Sequence, residues 1–551
     1  MTLRRELLIT AAAATILSVP SAHAAPPKHR RVVLHSAAPA ADAALLEEVK
    51  ALRSEVETLK SRLDQQTADA TATKQQVETA QAQVQAVQGQ VAQTQTEVAA
   101  LPTSVAKQVD TSIDKARHAD HFYYKGVTIT PGGFIELAGI YRQHFQGNDI
   151  ATSFAAIPFP NNRPSHVEEF RFSAHQSRVS LLTEGVVNDR IKLAAYAELD
   201  FQGGAQTANS NESNSFNPRL RHLYATADWI VGDDAGLHLL AGQNWSLVTM
   251  NQNGITPRGE LTPPQIDGQY VPGFAWTRQP QVRLAADFLD HSLWFAVSAE
   301  NPATTFGGTV PANVVYNAPA GQGFDAANTL SLNHVPDVVA KIAYEAKPAG
   351  HAVHVEGFGL YRNYSAHLTT GPNESADSFA GGGGITAQIV PDLLDVQFSA
   401  MTGRGIGRYG AAQLPDVTFR PDGSIRPLHE TIMLAGVTLH ATKLLDLWAF
   451  AGQEREDRAD YGSIAGVLYG YGNALANNTG CLVEGSTCAG NSRIIRQLTG
   501  GFWDKVYQGR FGRAQVGFQY SYTDRTLFSA VGGDPQAKQN MGFVSLRYYP
   551  F

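Results

Sequence analysis

Only two cysteines, Cys481 and Cys488, occur in 551 residues. They leave no zinc-like ligand spacing, and the 17 histidines are scattered rather than clustered. No nucleophile elbow is present, so neither an enzyme nor a bound cofactor is expected. An excess of basic charge is also missing: Lys plus Arg total 43 against 50 Asp plus Glu, a net charge of −7. Without a basic stripe, nucleic acid is not an expected partner. After the first two dozen residues no apolar run is long enough for a membrane helix, which excludes a helical membrane protein. A transmembrane barrel survives that exclusion. Its strands alternate and average to a neutral value, and the mean hydropathy here is −0.19. What the chain does have is glycine and aromatics: 50 Gly, 25 Phe and 19 Tyr.

Residues 1–24 read as a secretory signal. Arg4 and Arg5 form the charged start, Leu7 to Val19 the apolar stretch, and Ala22, His23 and Ala24 the cleavage site. The paired arginines also match a twin-arginine leader. A barrel crosses the inner membrane unfolded, so the ordinary charged start is the better fit. Residues 25–44, with Lys28, His29, Arg30 and Arg31, form a flexible lead-in.

From Leu45 a heptad begins. One seam runs Val49, Val56, Leu63, Ala70, Val77, Val84, Val91, Val98 and Val105, and the other starts Leu45, Leu52 and Leu59 and ends at Leu101. A period of 3.5 sustained over so many turns predicts a coiled coil over 45–105, a rod on the order of 90 Å at about 1.5 Å per residue. Val at a with Leu at d leans to two strands, and the Ala, Gln, Val and Thr at later d positions weaken that preference. Dimer and trimer both stay open. Residues 106–122 are read as a linker, and the basic lead-in suits docking to peptidoglycan.

From residue 123 to 551 the period changes to 2. Ile191, Leu193, Ala195, Ala197 and Leu199 alternate with Lys192, Tyr196, Glu198 and Asp200. One apolar and one polar face suit lipid outside and water inside. The pattern predicts an all-β transmembrane barrel of about 16 antiparallel strands, beginning near residues 131, 166, 190, 218, 236, 275, 291, 334, 351, 377, 393, 427, 444, 490, 511 and 539. Long connections, among them 249–274 and 365–376, interleave with short turns such as Pro391-Asp392, the outer-membrane pattern. Phe551 closes an amphipathic strand in the manner of a barrel assembly signal, although Arg547 and Pro550 break its apolar alternation. All six tryptophans lie beyond residue 228, as an interfacial girdle requires.

The run Glu169-Phe170-Arg171-Phe172-Ser173-Ala174-His175-Gln176-Ser177-Arg178 resembles the second-strand motif of the DcaP-like porins. Gly242-Gln243-Asn244-Trp245-Ser246 and Arg278-Gln279-Pro280-Gln281-Val282-Arg283 resemble two further blocks of that family. The resemblance implies a trimeric outer-membrane porin with an arginine-rich constriction, admitting small anions including dicarboxylates. His175 stands where the family pattern carries arginine, and a histidine carries less charge at neutral pH.

The residues give their own account of the lumen. Phe170 and Phe172 take the lipid face, leaving Arg171, Ser173 and His175 inside. Parity shifts at Val179 and Leu181, which predicts a bulge near 175–178 that also turns Arg178 inward. Arg283 faces in opposite Val282 and Leu284, Arg219 and Arg221 sit at the upper end of the fourth strand, and Arg278 precedes Pro280. With Arg513 and Arg258 these make the candidate pore-lining, anion-binding set: Arg171, His175, Arg178, Arg219, Arg221, Arg258, Arg278, Arg283 and Arg513. Guanidinium groups grip carboxylates in a bidentate fork, so lines of them select anions. Arginines on a barrel wall also serve merely to satisfy wall carboxylates. The third long loop, Met250 to Gly273, holds Arg258, Glu260 and Asp267 among stiffening prolines and is expected to fold into the lumen. Cys481 and Cys488, in an outer loop, should form a local disulfide. The expected function is passive diffusion of small anionic solutes by a lipid-embedded homotrimer. The alternatives are a sugar or non-selective porin, and a tether to the cell wall.

Overall fold

The computed structural model describes residues 121–203, 216–232, 234–318 and 330–551, together with scattered residues between 47 and 85. The chain divides into two units, Met1–Ala116 and Arg117–Phe551. In the first, the described residues are helical, and Lys50 pairs with Glu47 at 3.3 Å one turn away. The signal at 1–24, the lead-in at 25–44, most of the heptad seams and nearly all of the linker lie outside the described residues.

The second unit is a closed antiparallel barrel of sixteen strands. In chain order these are β1 (Val127–Arg142), β2 (Glu169–Ser173 continuing as Arg178–Asn188), β3 (Ile191–Asp200), β4 (Arg219–Ile230), β5 (Gly236–Trp245), β6 (Arg278–Phe288), β7 (Leu293–Glu300) and β8 (Asp337–Ala346). There follow β9 (Val353–Leu368), β10 (Glu374–Val390), β11 (Leu394–Arg404), β12 (His429–His440), β13 (Leu445–Glu456), β14 (Ser492–Gly509), β15 (Gly512–Leu527) and β16 (Gln536–Tyr549). Each strand pairs with the next, and β16 closes on β1 with Ile135 opposite Tyr548 and Arg142 opposite Met541. Closure leaves the barrel no open sheet edge, so the strand ladders are satisfied within the barrel, as a lipid setting demands. Every observed start lies within four residues of the position read from the period-2 pattern. The connection read as 365–376 is shorter, because β9 runs on to Leu368, where it also pairs with Val314 and Val315.

Alternation decides which side chains meet lipid. Phe170, Phe172, Val179, Leu181, Leu223, Val282, Leu284 and Val297 are exposed on the outer face, while Tyr224, Gln281 and Arg283 are buried inside. The bulge in β2 is present. Ala138 pairs with Ser173 while Phe134 pairs with Arg178, a one-residue slip between the two halves. Ser177 marks it, its Oγ accepting from Glu136 N at 2.9 Å. A second slip was not read from the sequence: Glu198 pairs with His222 but Leu199 with Leu220. Arg221 is the extra residue, and both it and His222 are buried.

The lumen is filled to a large extent by loops. Five of the six tryptophans do not form a girdle; only Trp229 of β4 shares the outer face with Leu223. Trp245, Trp294, Trp448 and Trp503 are buried inside the barrel, and Trp276 packs edge-on against Trp245 and Tyr270. Their large apolar surfaces support inward loops instead of anchoring in headgroups. The loop between β11 and β12 joins them, Ala411, Ala412 and Leu414 packing with Val271 and Phe274. Fully buried Arg362 ties these loops down, with Nε to Asp337 at 3.1 Å and Nη1 to Asp416 at 2.7 Å. Cys481 and Cys488 form a disulfide in the β13–β14 loop, with Cys481 buried beside Ile157 and Phe159.

Candidate functional site

The loop between β5 and β6 (residues 246–277, loop L3) folds into the lumen, as its prolines suggested. It is held on several sides by hydrogen bonds to the inner wall. Ile266 N and Asp267 N donate to Gln519 Oε1 at 2.6 and 3.1 Å on β15, and Trp503 Nε1 of β14 donates to Pro264 O at 2.8 Å. Lys341 of β8 reaches Thr249 O at 2.8 Å while paired to Glu356, and Gly273 N donates to Glu454 Oε1 at 2.7 Å. Charged acceptors and several strands together fix the loop as a shelf rather than a flap.

Under that shelf lies a cavity of about 510 Å³, bounded by L3, by β2–β5 on one side and by β13–β16 on the other. Lining residues such as Asp446 and Arg513 place its floor near the short turns. Five guanidinium groups and one ammonium line it: Arg178, Arg221, Arg258, Arg513, Arg547 and Lys505. Only three carboxylates do so, Glu198, Glu260 and Asp446.

The cations divide by how they are held. Arg221 is bound by Glu198 and by Asp200, the latter at 3.1 Å; Arg547 meets Glu136 at 2.9 Å and Lys505 meets Asp446 at 3.0 Å. Arg178, Arg258 and Arg513 are different. The carboxylate nearest Arg178 is 4.0 Å away, and among the described residues Arg258 and Arg513 have no ion-pair partner. Aromatic rings position these three instead. Arg178 lies 5.2 Å from the Phe134 centroid, Arg258 5.5 Å from that of Tyr196, and Arg513 4.2 Å from that of Tyr549. A ring orients a guanidinium without neutralising it, so its N–H edge stays available to an anion. Arg258 also donates to Tyr224 Oη at 3.2 Å.

Two residues that line the cavity have left-handed backbone. Arg258 and Tyr270 adopt φ of +66° and +70°. Left-handed backbone costs a non-glycine residue about 1–2 kcal/mol, and such outliers gather where a side chain must be aimed. Glu260, two residues on, lines the cavity, and its Oε1 is buried with no hydrogen-bond partner. Burial raises this carboxyl above its ordinary range, and Arg283 opposes the shift.

Of the nine residues read from sequence, Arg178, Arg221, Arg258 and Arg513 line the cavity; the other five do not. Arg171 pairs with Glu169 at 2.8 Å, and the same carboxylate binds Arg142 at 2.9 Å. Arg219 pairs with Asp200 at 2.6 Å. His175 is set between Asp149, 3.2 Å away, and the Phe216 ring. Arg278 lies between Trp245 and Trp276, 5.1 and 5.2 Å from their centroids. Arg283 donates to Trp245 O at 2.6 Å and Gln281 Oε1 at 3.2 Å. Arg547 and Lys505 were missed. Parity could have found Arg547, which shares the inward face with Ser545 and so is no flaw in an apolar alternation.

No protein-family model matches the sequence, and no curated protein matches it. Among solved structures, the outer membrane channel DcaP of Acinetobacter baumannii is similar with TM-score 0.56 and 19% identity, over 78% of this chain and 99% of that one. The anion-selective porin of Comamonas acidovorans reaches TM-score 0.43 at 10% identity, over 77% and 99%. Salmonella typhi OmpF in complex with daunomycin reaches 0.41 at 11%, over 78% and 99%. At that looseness the last two do not bear on this pore. The first shows that the barrel shares its fold with a channel rather than an enzyme.

Proposed function

We propose, from a sixteen-stranded barrel with the fold of a DcaP-like porin, that this chain is an outer-membrane channel through which small anions, carboxylates foremost, diffuse passively. One observation carries the reading. Among the described residues, Arg258 and Arg513 of the cavity under L3 have no ion pair and Arg178 lies 4.0 Å from its carboxylate, each set against an aromatic ring. In a confined lumen such charges are screened less than surface charges, and a fixed cationic ring favours anions. A sugar porin fits less well. Sugars need bare aromatic faces, and here Tyr196 and Tyr549 are covered by Arg258 and Arg513. The chain is further inferred to work as a homotrimer, which the heptads permit.

Planar-bilayer recording tests the proposal. In a salt gradient the wild-type reversal potential should indicate anion preference, and succinate should block the current carried by chloride. The triple variant Arg178→Gln, Arg258→Gln, Arg513→Gln should lose most of the preference and the block. Unchanged values in that variant would make these arginines wall residues and move the neutral-solute reading ahead.

A further inference from the structure

Glu260 is the one cavity carboxylate left over when the ion pairs are assigned. Glu198 serves Arg221, and Asp446 serves Lys505. Glu260 has no ion pair among the described residues, and its Oε1 lacks a hydrogen-bond partner although buried. The cations that favour its charged form are Arg283 and Lys341, neither of which lines the cavity, together with the backbone amides of Arg258 and Glu260. A buried carboxylate with one oxygen left without a partner gains from a cation arriving beside it. It shares L3 and the same cavity with Arg258, while Arg178 and Arg513 stand on the barrel wall.

We propose that this cavity is built for an amino dicarboxylate: two carboxylates received by Arg178, Arg258 and Arg513, and an ammonium received by Glu260. The inference rests on the anion reading above and narrows it to a substrate class. Two cations with no ion pair among the described residues, a third whose carboxylate is 4.0 Å away, and one negative group complement two carboxylates with one ammonium better than they complement a plain diacid. A plain diacid fills the cationic positions and leaves Glu260 unmet, as an unsatisfied group and a repelling charge.

The probes are glutarate, L-glutamate and N-acetyl-L-glutamate, used as blockers of chloride current through the full-length protein in planar bilayers. Net charge alone ranks glutarate and N-acetyl-L-glutamate, both −2 at neutral pH, above L-glutamate at −1. The proposal reverses that order: L-glutamate should block at a concentration lower than either, by on the order of fivefold. In Glu260→Gln the order should revert, L-glutamate weakening and glutarate strengthening, since a negative charge has left the cationic site. Glu260→Asp should keep the glutamate preference. The wild-type comparison stands even if a variant fails to fold. If L-glutamate is the weakest blocker of the wild type, or if its ratio to glutarate is the same in Glu260→Gln, the inference is wrong and the anion reading survives. If none of the three blocks, both fall.

Discussion

Arg221 and Arg513 line one cavity yet should respond oppositely to neutralisation. Arg221 is buried and satisfies two carboxylates, Glu198 and Asp200, that its removal would leave beside each other. Breaking a buried pair from one side costs about 3–5 kcal/mol. Arg221→Gln should therefore lower the temperature at which the detergent-purified barrel loses its compact gel mobility. Arg513→Gln leaves no carboxylate behind and should not lower it, while weakening succinate block. Equal thermal losses in the two variants would show that Arg513 has a structural partner after all. The same contrast explains why residue type alone could not rank the nine candidates. Each is an inward or near-inward cation in the sequence, and only its neighbours show whether the charge is spent.

At the scale of the element, L3 is the part that roofs the cavity. Gly273 lies near its C-terminal end at φ +97°, with its missing side chain facing the Met433 carbonyl on β12. A Cβ there would both strain the backbone and strike the strand. Gly273→Ala should push this end of the loop off the wall without disturbing β12, whose pairing lies in the barrel ladder. Single-channel recording should then show larger, noisier conductance and weaker succinate block than in the wild type. Wild-type conductance with an intact block would mean that the loop tolerates the shift and does not define the constriction. The inward fold of L3 was legible from Pro257, Pro263 and Pro264. Its anchors were not, because Gln519 and Trp503 stand about 250 and 240 residues downstream.

At the scale of the molecule, the barrel closes its own hydrogen-bond ladder between β16 and β1. It needs no strand from elsewhere. A chain lacking residues 25–120 should consequently still insert into membranes and conduct. Loss of all insertion on that deletion, with export intact, would make the heptad segment part of the barrel's folding unit.

The sixteen strands, their faces and the β2 bulge could be read from the chain because each depends on local alternation between lipid and lumen, a periodicity written within ten or so residues. The positions of Arg171 and Arg283 on the inner wall were legible for the same reason. Whether an inward arginine is free to meet a solute was not. Arg547 is neutralised by Glu136, 411 residues away in sequence, while Arg513 has no ion pair among the described residues and lies against the ring of Tyr549. The β4 bulge that turns Arg221 inward likewise arises from the pairing with β3 and has no signature in β4 alone. The sequence by itself determined a barrel with a lipid face and a cationic lumen. Only closure of that barrel, which brings its first and last strands together and presses L3 against the wall, decided which of those cations pair with a wall carboxylate and which lie on aromatic rings instead.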